Sequence, residues 1–271
     1  MIDVRSLHFS HGARSVLNDL SLSIGTGERT AILGANGSGK STLGQLLAGW
    51  LTPKDGSVLW HGRTWHEHSI LERASAVQLV GQIPSQHLSG RAFTVSEEIT
   101  FGPENLGLPP AEIIVRRDRA LAACRLETLA DRDPFTLSGG EQQRLVIAAC
   151  LALNPALLVL DEPFTNLDPE ARTHLVEVLA DLEETVTLVL LDTNPDNALA
   201  IAERVLLLRD GRIVLDGNTR TTLLAPACVD VLGLPAIAHA FQQRTAGRYD
   251  PADLPLTLAE AAALLEVGDP C

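Results

Sequence analysis

Cysteine is scarce in this sequence, and no two cysteines lie close together. The four residues are Cys124, Cys150, Cys228 and Cys271, and none of them forms a CxxC pair. Structural zinc sites and disulfide-rich folds need closely spaced or numerous cysteines. The sequence therefore predicts reduced thiols in a cytosolic protein rather than a metal site or a disulfide framework.

Long apolar runs are also missing. The longest covers residues 145–153 and is followed by Asn154 and Pro155, whereas a helix that crosses a bilayer needs about 20 apolar residues. The first ten residues, MIDVRSLHFS, alternate in character and do not predict a secretory signal. If the protein works at a membrane, we expect it to dock on an integral membrane partner.

Acidic residues outnumber basic ones. The chain has 21 lysines and arginines and 34 aspartates and glutamates, which gives a formal net charge of −13 at pH 7. Proteins that bind nucleic acid usually present a basic face to the phosphate backbone. We therefore expect no nucleic-acid partner, although a local basic patch would be compatible with this balance. The 271 residues are enough for one large domain with an appendage, or for two domains.

The order of the apolar patterns predicts an α/β fold. Alternating segments at residues 2–9 and 20–24 indicate a small antiparallel sheet at the start of the chain. Continuous apolar segments at residues 157–160 and 186–191 are typical of parallel strands that are covered on both faces. Three segments between the two groups of strands follow a helical period, at residues 94–101, 110–124 and 138–153. We find no internal repeat and no low-complexity segment.

The segment GANGSGKST, residues 34–42, stands between a predicted strand and a predicted helix. It fits the pattern G-x-x-x-x-G-K-[ST], in which glycines let backbone N–H groups approach phosphate oxygens. Lys40 would supply a charge for the β- and γ-phosphates, and Ser41 a hydroxyl ligand for Mg²⁺. A Gly-rich turn without a ligand is the alternative. We predict ATP and Mg²⁺ as cofactors, and the nucleotide-binding residues are Gly34, Ala35, Asn36, Gly37, Ser38, Gly39, Lys40, Ser41 and Thr42.

Two acidic residues follow the apolar segment LLVL. Asp161 and Glu162 stand at the carboxyl end of this predicted strand, where ligands bind in open α/β sheets. Asp161 is predicted to hold Mg²⁺ through water, and Glu162 to polarise an attacking water. Two surface acids that end a strand are the alternative, which the phosphate-binding loop disfavours.

The segment LSGGEQQR, residues 137–144, opens a predicted helix. Ser138 suits the N-cap, and Gly139 and Gly140 allow backbone to approach a phosphate closely. With the two preceding motifs, the chain resembles the ATP-binding subunits of ABC transporters over about residues 1–225. The resemblance implies a P-loop NTPase core of ABC ATPase type with an N-terminal antiparallel β subdomain. It also implies a helical subdomain at about residues 90–153 and a C-terminal helical extension at residues 226–271, a candidate dimerisation element.

The resemblance implies a dimer with two nucleotides at its interface. In that family the LSGG segment of one subunit closes on the ATP that the phosphate loop of the other subunit holds. The segment TNLDP, residues 165–169, resembles the D-loop, whose Asp168 would reach across the dimer. The residues implied to contact the partner's nucleotide are Ser138, Gly139, Gly140 and Glu141.

Two further positions match the family's order of motifs. Gln82 falls where the Q-loop glutamine bridges Mg²⁺ and the transmembrane partner. His11 falls where the first strand delivers an aromatic ring to stack on adenine. An imidazole can also stack, though more weakly, and a surface histidine without this role is the alternative.

Residues 81–109 resemble one subgroup of this family in particular. This segment is similar to the Q-loop region of the energy-coupling factor ATPases, which power the uptake of vitamins and metal ions. The match includes Thr94, Val95 and the segment ENLG, whereas Ile83 stands where an Asn is usual. Residues 232–265 are similar to the C-terminal helices that help to pair the two ATPases of that group. The resemblance implies a peripheral protein on the cytoplasmic face of the cell membrane, bound to an integral membrane transporter component.

Histidine is missing where the family has one. The segment AERV, residues 202–205, matches the sequence that follows the family's H-loop, and the usual spacing puts the switch histidine on Thr193. Threonine is shorter, uncharged and donates at most one weaker hydrogen bond. Loss of one preorganised transition-state contact costs on the order of 10²–10³ in rate. We therefore expect slow hydrolysis at this site, with ATP binding preserved.

Three functional hypotheses follow. The first is an ATPase subunit of an ABC importer of energy-coupling-factor type, in an asymmetric pair with a different ABC ATPase; a homodimer with two slow sites is the alternative. The second is a non-hydrolysing regulatory subunit, which Thr193 favours and Glu162 opposes. The third is a soluble ABC protein acting on ribosomes or DNA, which the short insert and the acidic balance disfavour. The transported substrate is not encoded in this chain.

Overall fold

The computed structural model describes residues 1–165 and 167–268. Asn166 of the predicted D-loop lies outside the described residues, as does Cys271 with the two residues before it. No helix among the described residues is both long and apolar enough to span a bilayer.

The chain begins with a four-stranded antiparallel sheet in the order β2-β1-β4-β5. The strands are β1 (Ile2–His11), β2 (Arg14–Ile24), β4 (Asp55–Trp60) and β5 (Arg63–Thr64). Alternating side chains of β1, such as Ile2 and Val4, are buried, because successive residues of a strand point to opposite faces. The predicted N-terminal antiparallel sheet is therefore confirmed.

A second sheet of six strands follows the order β10-β9-β3-β8-β7-β6. Its strands are β3 (Arg29–Leu33), β6 (Val77–Val80), β7 (Leu157–Asp161), β8 (Thr187–Asp192), β9 (Arg204–Arg209) and β10 (Arg212–Asn218). All neighbours pair in parallel except β9 and β10, which form an antiparallel hairpin at one edge. Because strands of one direction end together, the carboxyl ends of β3, β7 and β8 lie side by side.

The six-stranded sheet is buried on both faces. In β7, Leu158 and Leu160 belong to one hydrophobic cluster, while Leu157 and Val159 belong to another. The first cluster also contains side chains of the helices α3 (Val95–Asn105), α4 (Pro110–Ala123) and α5 (Gly139–Ala152). Burial on both faces explains why the strand sequences are continuously apolar rather than alternating.

Four further helices belong to this part of the chain. They are α1 (Lys40–Leu47), α2 (Ile70–Ala76), α6 (Pro169–Ala180) and α7 (Pro195–Ile201). Helix α1 contacts β7 and β8, and α7 contacts β3, β8 and α6. Helices α1 and α7 therefore begin at the edge of the sheet where β3 and β8 end.

The chain ends in short helices. They are α8 (Thr219–Leu223), α9 (Pro226–Leu232), α10 (Ala236–Arg244) and α11 (Leu258–Gly268). They enclose a third hydrophobic cluster that includes Leu224, Phe241 and Leu254, against which Leu199 of α7 packs. The Asp196 carboxylate of α7 accepts the backbone N–H of Ala236 at 3.0 Å and so caps α10. The C-terminal helices are thus attached to the segment that follows β8.

Candidate nucleotide-binding site

The predicted phosphate loop connects β3 to α1. Gly39 precedes the helix with a φ of 108°, a conformation that side chains with a Cβ rarely adopt. A Cβ at this position would also lie only 2.8 Å from a methyl carbon of Leu17. A glycine is required here, and the turn aims the first N–H groups of α1 at the open side of the loop.

Lys40 folds back along the phosphate loop. Its Nζ donates hydrogen bonds to the carbonyl oxygens of Gly34 at 2.8 Å and Ala35 at 3.2 Å. Only 5% of the residue is exposed, and Nζ lies 3.9 Å from Oε1 of Glu162. Burial lowers the pKa of Lys40, while the charges of Glu162 and Asp161 oppose this shift. The lysine is therefore a confined cation at the place where phosphate oxygens are predicted to bind.

Asp161 is the last residue of β7 and faces the phosphate loop. Burial raises the pKa of its carboxyl group, and a hydrogen bond from the Ser41 hydroxyl opposes that rise. Its Oδ1 is buried and has no hydrogen-bond partner among the described residues, and the same holds for Oγ of Ser38. Buried polar atoms without partners are costly. These atoms fit a site that takes a phosphate group and a hydrated cation.

Mg²⁺ at a nucleotide needs few protein ligands, because phosphates and water complete its coordination shell. In keeping with this, no three His, Cys, Asp or Glu side chains of the described segments form a metal-binding cluster. Ser41 and Asp161 are the residues that would hold the ion, with Gln82 as the third predicted ligand.

Glu162 has a left-handed backbone, with a φ of 49°. This conformation is unfavourable for glutamate and persists only where the surrounding structure enforces it. The Glu162 N–H donates to the carbonyl oxygen of Leu191 at 2.8 Å, and the Thr165 hydroxyl donates to Oε2 at 3.4 Å. The neighbouring strand therefore holds the turn that directs the carboxylate towards Lys40.

One cleft brings several of the predicted residues together. Its lining includes His11, Gln82, Glu162 and the loop residues Asn36, Gly37, Gly39, Lys40, Ser41 and Thr42. His11 is the last residue of β1, and its Nε2 lies 3.4 Å from Oγ1 of Thr42. Ala35 and Ser38 of the loop border an adjacent depression beside Asp210.

Arg14 and Val16 line the same cleft, and sequence reasoning missed them. Arg14 pairs with His11 in the β1–β2 hairpin, so both side chains stand at the mouth of the cleft. The sequence offered one signal, since HGAR is a short turn between two alternating segments.

The LSGG segment stands apart from this cleft. Among the described residues, the lining includes neither Asp168 nor any residue from Ser138 to Glu141. Ser138 caps α5 as predicted, because its Oγ accepts the N–H of Glu141 and its own N–H donates to the Glu141 carboxylate at 2.8 Å. Asp168 caps α6 by accepting the N–H of Ala171 at 2.8 Å. These residues thus cap two helices and do not line the cleft beside the chain's own phosphate loop.

Thr193 follows directly after β8, which extends one residue further than predicted and includes Asp192. Thr193 is half-buried. Its backbone N–H donates to Oδ1 of Asp192 at 2.7 Å, and the carbonyl oxygen of Asp192 accepts the N–H of Gly34 at 3.3 Å. The predicted switch position is therefore adjacent to the start of the phosphate loop.

Comparison with known proteins identifies a family for this chain. The family model described as "ABC transporter" matches residues 17–165, more than half of the chain. The chain belongs to the ABC transporter family. The predicted resemblance to energy-coupling factor ATPases is confirmed.

Individual relatives of this ABC ATPase extend the match beyond the family model. An energy-coupling factor transporter ATP-binding protein of Lacticaseibacillus paracasei is 38% identical over 216 residues, which cover 79% of this chain and 77% of the relative. The structure of cbiO1 from Clostridium perfringens, part of the ABC transporter complex cbiONQ, is similar with a TM-score of 0.77 and 28% identity. That likeness covers 98% of both chains, so it includes the C-terminal helices.

A dimeric ATP-binding cassette in a post-hydrolysis state, bound to ADP and Pi, is also similar to this ABC ATPase. The TM-score is 0.71 and the identity 25%, over 81% of this chain and 99% of the other. The predicted α/β fold of ABC ATPase type is therefore confirmed.

The segment between β6 and α3, residues 81–94, carries Gln82 and has two internal anchors in this ABC ATPase. Nε2 of His87 accepts the N–H of Gly81 at 2.9 Å. The buried Glu98 carboxylate accepts the N–H and the hydroxyl of Ser89 at 2.6 and 2.7 Å. Both contacts fix the path of the loop on either side of Gln82, and neither was predicted from the sequence.

His87 makes the stability of this loop depend on pH. Burial lowers the pKa of His87, so the folded protein holds a neutral ring that can accept a hydrogen bond. Below about pH 6.5, the unfolded chain binds a proton that the folded chain does not, and the free energy of unfolding falls as pH drops towards the lowered pKa. We expect His87→Gln, which can still accept the Gly81 N–H, to reduce this loss.

Urea unfolding of both forms at pH 7.5 and pH 5.5 measures the effect. The two proteins should differ little at pH 7.5, where His87 contributes fully. At pH 5.5 the glutamine variant should have lost less of its stability than the wild type, because it has no ring to protonate in the unfolded chain. An identical loss of stability in both proteins would contradict the prediction.

Proposed function

We propose that this chain hydrolyses ATP as a subunit of an importer of energy-coupling-factor type. The observation that carries the proposal is the cleft that joins Lys40, Glu162 and Gln82. Lys40 and Glu162 are the groups that phosphoryl transfer to water requires, and Gln82 begins an exposed loop. One site therefore connects nucleotide chemistry to a surface available for a partner.

Each protein group has a role in this proposal. Lys40 and the loop amides bind and orient the phosphates, Ser41, Asp161 and Gln82 hold Mg²⁺, and Glu162 accepts a proton from the attacking water. His11, with Arg14 beside it, covers the nucleotide base. Bound Mg²⁺ would neutralise the charge on the phosphates.

We also propose that two ABC ATPases pair and that the partner is a different chain. Ser138, Gly139 and Gly140 begin α5 away from the cleft, and Asp168 begins α6. Gly140 packs so closely on α6 that an added Cβ would lie 2.5 Å from Cβ of Ala171. This pair of helix starts is the surface proposed to close on the partner's ATP. Thr193 supports a heterodimer, because a dimer with one slow site can still hydrolyse ATP rapidly at its second site.

The loop after Gln82 is the proposed contact with an integral membrane component. Phe93 is 82% exposed and Ile83 is 50% exposed. Large apolar side chains at interfaces contribute much of the binding energy when a partner covers them. With this contact the chain would lie at the cytoplasmic face of the membrane as a peripheral subunit, and uptake of a vitamin or a metal ion remains the proposed task.

Phe93→Ser tests the membrane contact. We expect the variant to bind ATP normally but to co-purify with the membrane component about tenfold less, because it lacks the aromatic side chain that the partner would bury. The control is Val214→Ser, which removes a 45% exposed side chain from β10 at the opposite edge of the sheet. Detergent-solubilised membranes from cells that express the tagged chain give the measurement. Absence of any integral membrane partner in the wild-type sample would contradict the proposed function.

A non-hydrolysing regulatory subunit is the second candidate, and Thr193 is the observation that favours it. Such a chain would bind ATP and pair with an ATPase without turnover at its own site. The assembled complex separates the two candidates. Glu162→Gln in this chain alone would lower ATP turnover of the complex in the first case and leave it unchanged in the second.

A further inference from the structure

Asp192 is a buried acid at the end of β8 that the mechanism above does not use. Only 4% of the residue is exposed. Oδ1 accepts the N–H groups of Thr193 at 2.7 Å and Asn194 at 2.9 Å, while Oδ2 accepts Nδ2 of Asn197 at 2.8 Å. A buried carboxylate is tolerated only when such bonds are made. The side chain therefore determines the backbone path at the switch position.

Asn197 continues this network towards α6. It is also 4% exposed, and its Oδ1 accepts Nε of Arg172 at 2.8 Å. The orientation of the amide follows from its neighbours, since a guanidinium only donates and a carboxylate only accepts. The hydrogen bonds thus run in one order, from Arg172 to Asn197 to Asp192.

The two ends of the network touch different parts of the molecule. Arg172 lies in the first turns of α6, next to Ala171, on which Gly140 of α5 packs. Asp192 binds the switch backbone, and its carbonyl oxygen holds Gly34 of the phosphate loop. A shift of α6 against the sheet would therefore move Asn197 and Asp192, and with them the residue next to the phosphate loop.

We infer that Asp192 is a positioning residue, which together with Asn197 and Arg172 fixes the switch position relative to the start of α6. The inference rests on the proposed ATP hydrolysis. A threonine at position 193 has a shorter reach than a histidine, so the placement of its backbone matters more for any contact it makes with the attacking water. Small displacements of positioned groups can cost large factors in rate.

Two variants test this network: a single substitution that breaks it and a double substitution that restores it. In Asp192→Asn, an amide replaces the carboxylate. In one orientation its NH₂ group faces the NH₂ group of Asn197, and in the other orientation the backbone N–H groups that Asp192 accepts lose their acceptor. In Asp192→Asn with Asn197→Asp, the new amide donates to the new carboxylate, which also accepts Arg172. The double variant restores every hydrogen bond of the network and keeps its net charge.

We expect Asp192→Asn to lower kcat about tenfold and to change KM for ATP by less than about threefold. In nucleotide-free protein, exchange of the Thr193 and Asn194 amides should accelerate by about tenfold or more. The double variant should return both quantities to within about threefold of the wild type. Thr173→Ala, an exposed change beside Arg172, is the matched control and should alter neither.

Two results would overturn the inference. One is a single variant with wild-type kcat and amide exchange, and the other is a double variant no better than the single one. If Asp192→Asn does not fold, Arg172→Ala removes only the outer end of the network. This variant must still accelerate exchange of the Thr193 amide. Amide exchange needs no hydrolysis, so a complex without ATP turnover would refute the proposed function while exchange still tests the network.

Discussion

Glu162→Gln should abolish most ATP hydrolysis and leave ATP binding intact. The variant keeps the shape of the side chain but cannot accept a proton from water, and a positioned general base contributes about 10²–10⁴ in rate. Binding depends on Lys40 and the loop amides, which the change does not touch. Loss of the carboxylate 3.9 Å from the lysine also removes a negative charge that would repel phosphate.

Phosphate release at saturating Mg-ATP and equilibrium binding of a fluorescent ATP analogue measure the two properties separately. Glu170→Gln, an exposed acid on α6, is the matched control for the loss of one charge. The left-handed turn at Glu162 should persist, so the unfolding temperature should stay close to that of the wild type. Turnover within about threefold of the wild type would contradict the assigned role.

Thr193→His should increase hydrolysis, which is rare for a substitution at an active site. The turn that Asp192 holds presents residue 193 next to the phosphate loop, and a histidine there can reach further and donate a stronger hydrogen bond. Restoring one preorganised transition-state contact is worth on the order of 10²–10³ in rate. The backbone N–H of residue 193 keeps its bond to Asp192, so the turn itself is unchanged.

Turnover by the assembled complex and by the purified chain alone, for the wild type, Thr193→His and Thr193→Ala, gives the measurement. The alanine variant should lie within about threefold of the wild type, because one weak hydrogen bond is lost. A gain with histidine in the complex is the expected result, whereas a gain by the chain alone would mean that the chain pairs with itself and would contradict the proposed heterodimer. Equal turnover of all three forms would contradict the prediction, and retained ATP binding would then favour completion of the site by a different subunit.

Local patterns were sufficient to predict the α/β fold and the elements that carry the candidate site. The strand, glycine-rich loop and helix around Lys40 are consecutive in the chain, so their spacing alone predicts their arrangement. The same holds for Asp161 and Glu162 after the apolar strand β7, and for Ser138 before α5. In each case the residues that act together are within ten positions of one another.

Contacts between distant segments could not be predicted in this way. Arg172 and Asn197 are 25 residues apart, and nothing in either segment indicates that their side chains meet. Asp192 was expected outside the strand because a charged residue usually ends an apolar run. Its burial depends on donors from the following turn and from Asn197. Glu98 is a similar case, since an acid in an amphipathic helix is normally solvated.

The cap that Asp196 places on α10 limits how the chain can be divided. A truncation after residue 225 would remove α10 and leave the Asp196 carboxylate without the Ala236 N–H that it accepts. The same cut would uncover Leu199 and Leu224, which pack in the C-terminal cluster. Since Asp196 and Leu199 stand on the helix that follows the switch position, a shortened protein is unsuitable as a reference for turnover. Kinetic comparisons between members with and without this extension should therefore use full-length chains.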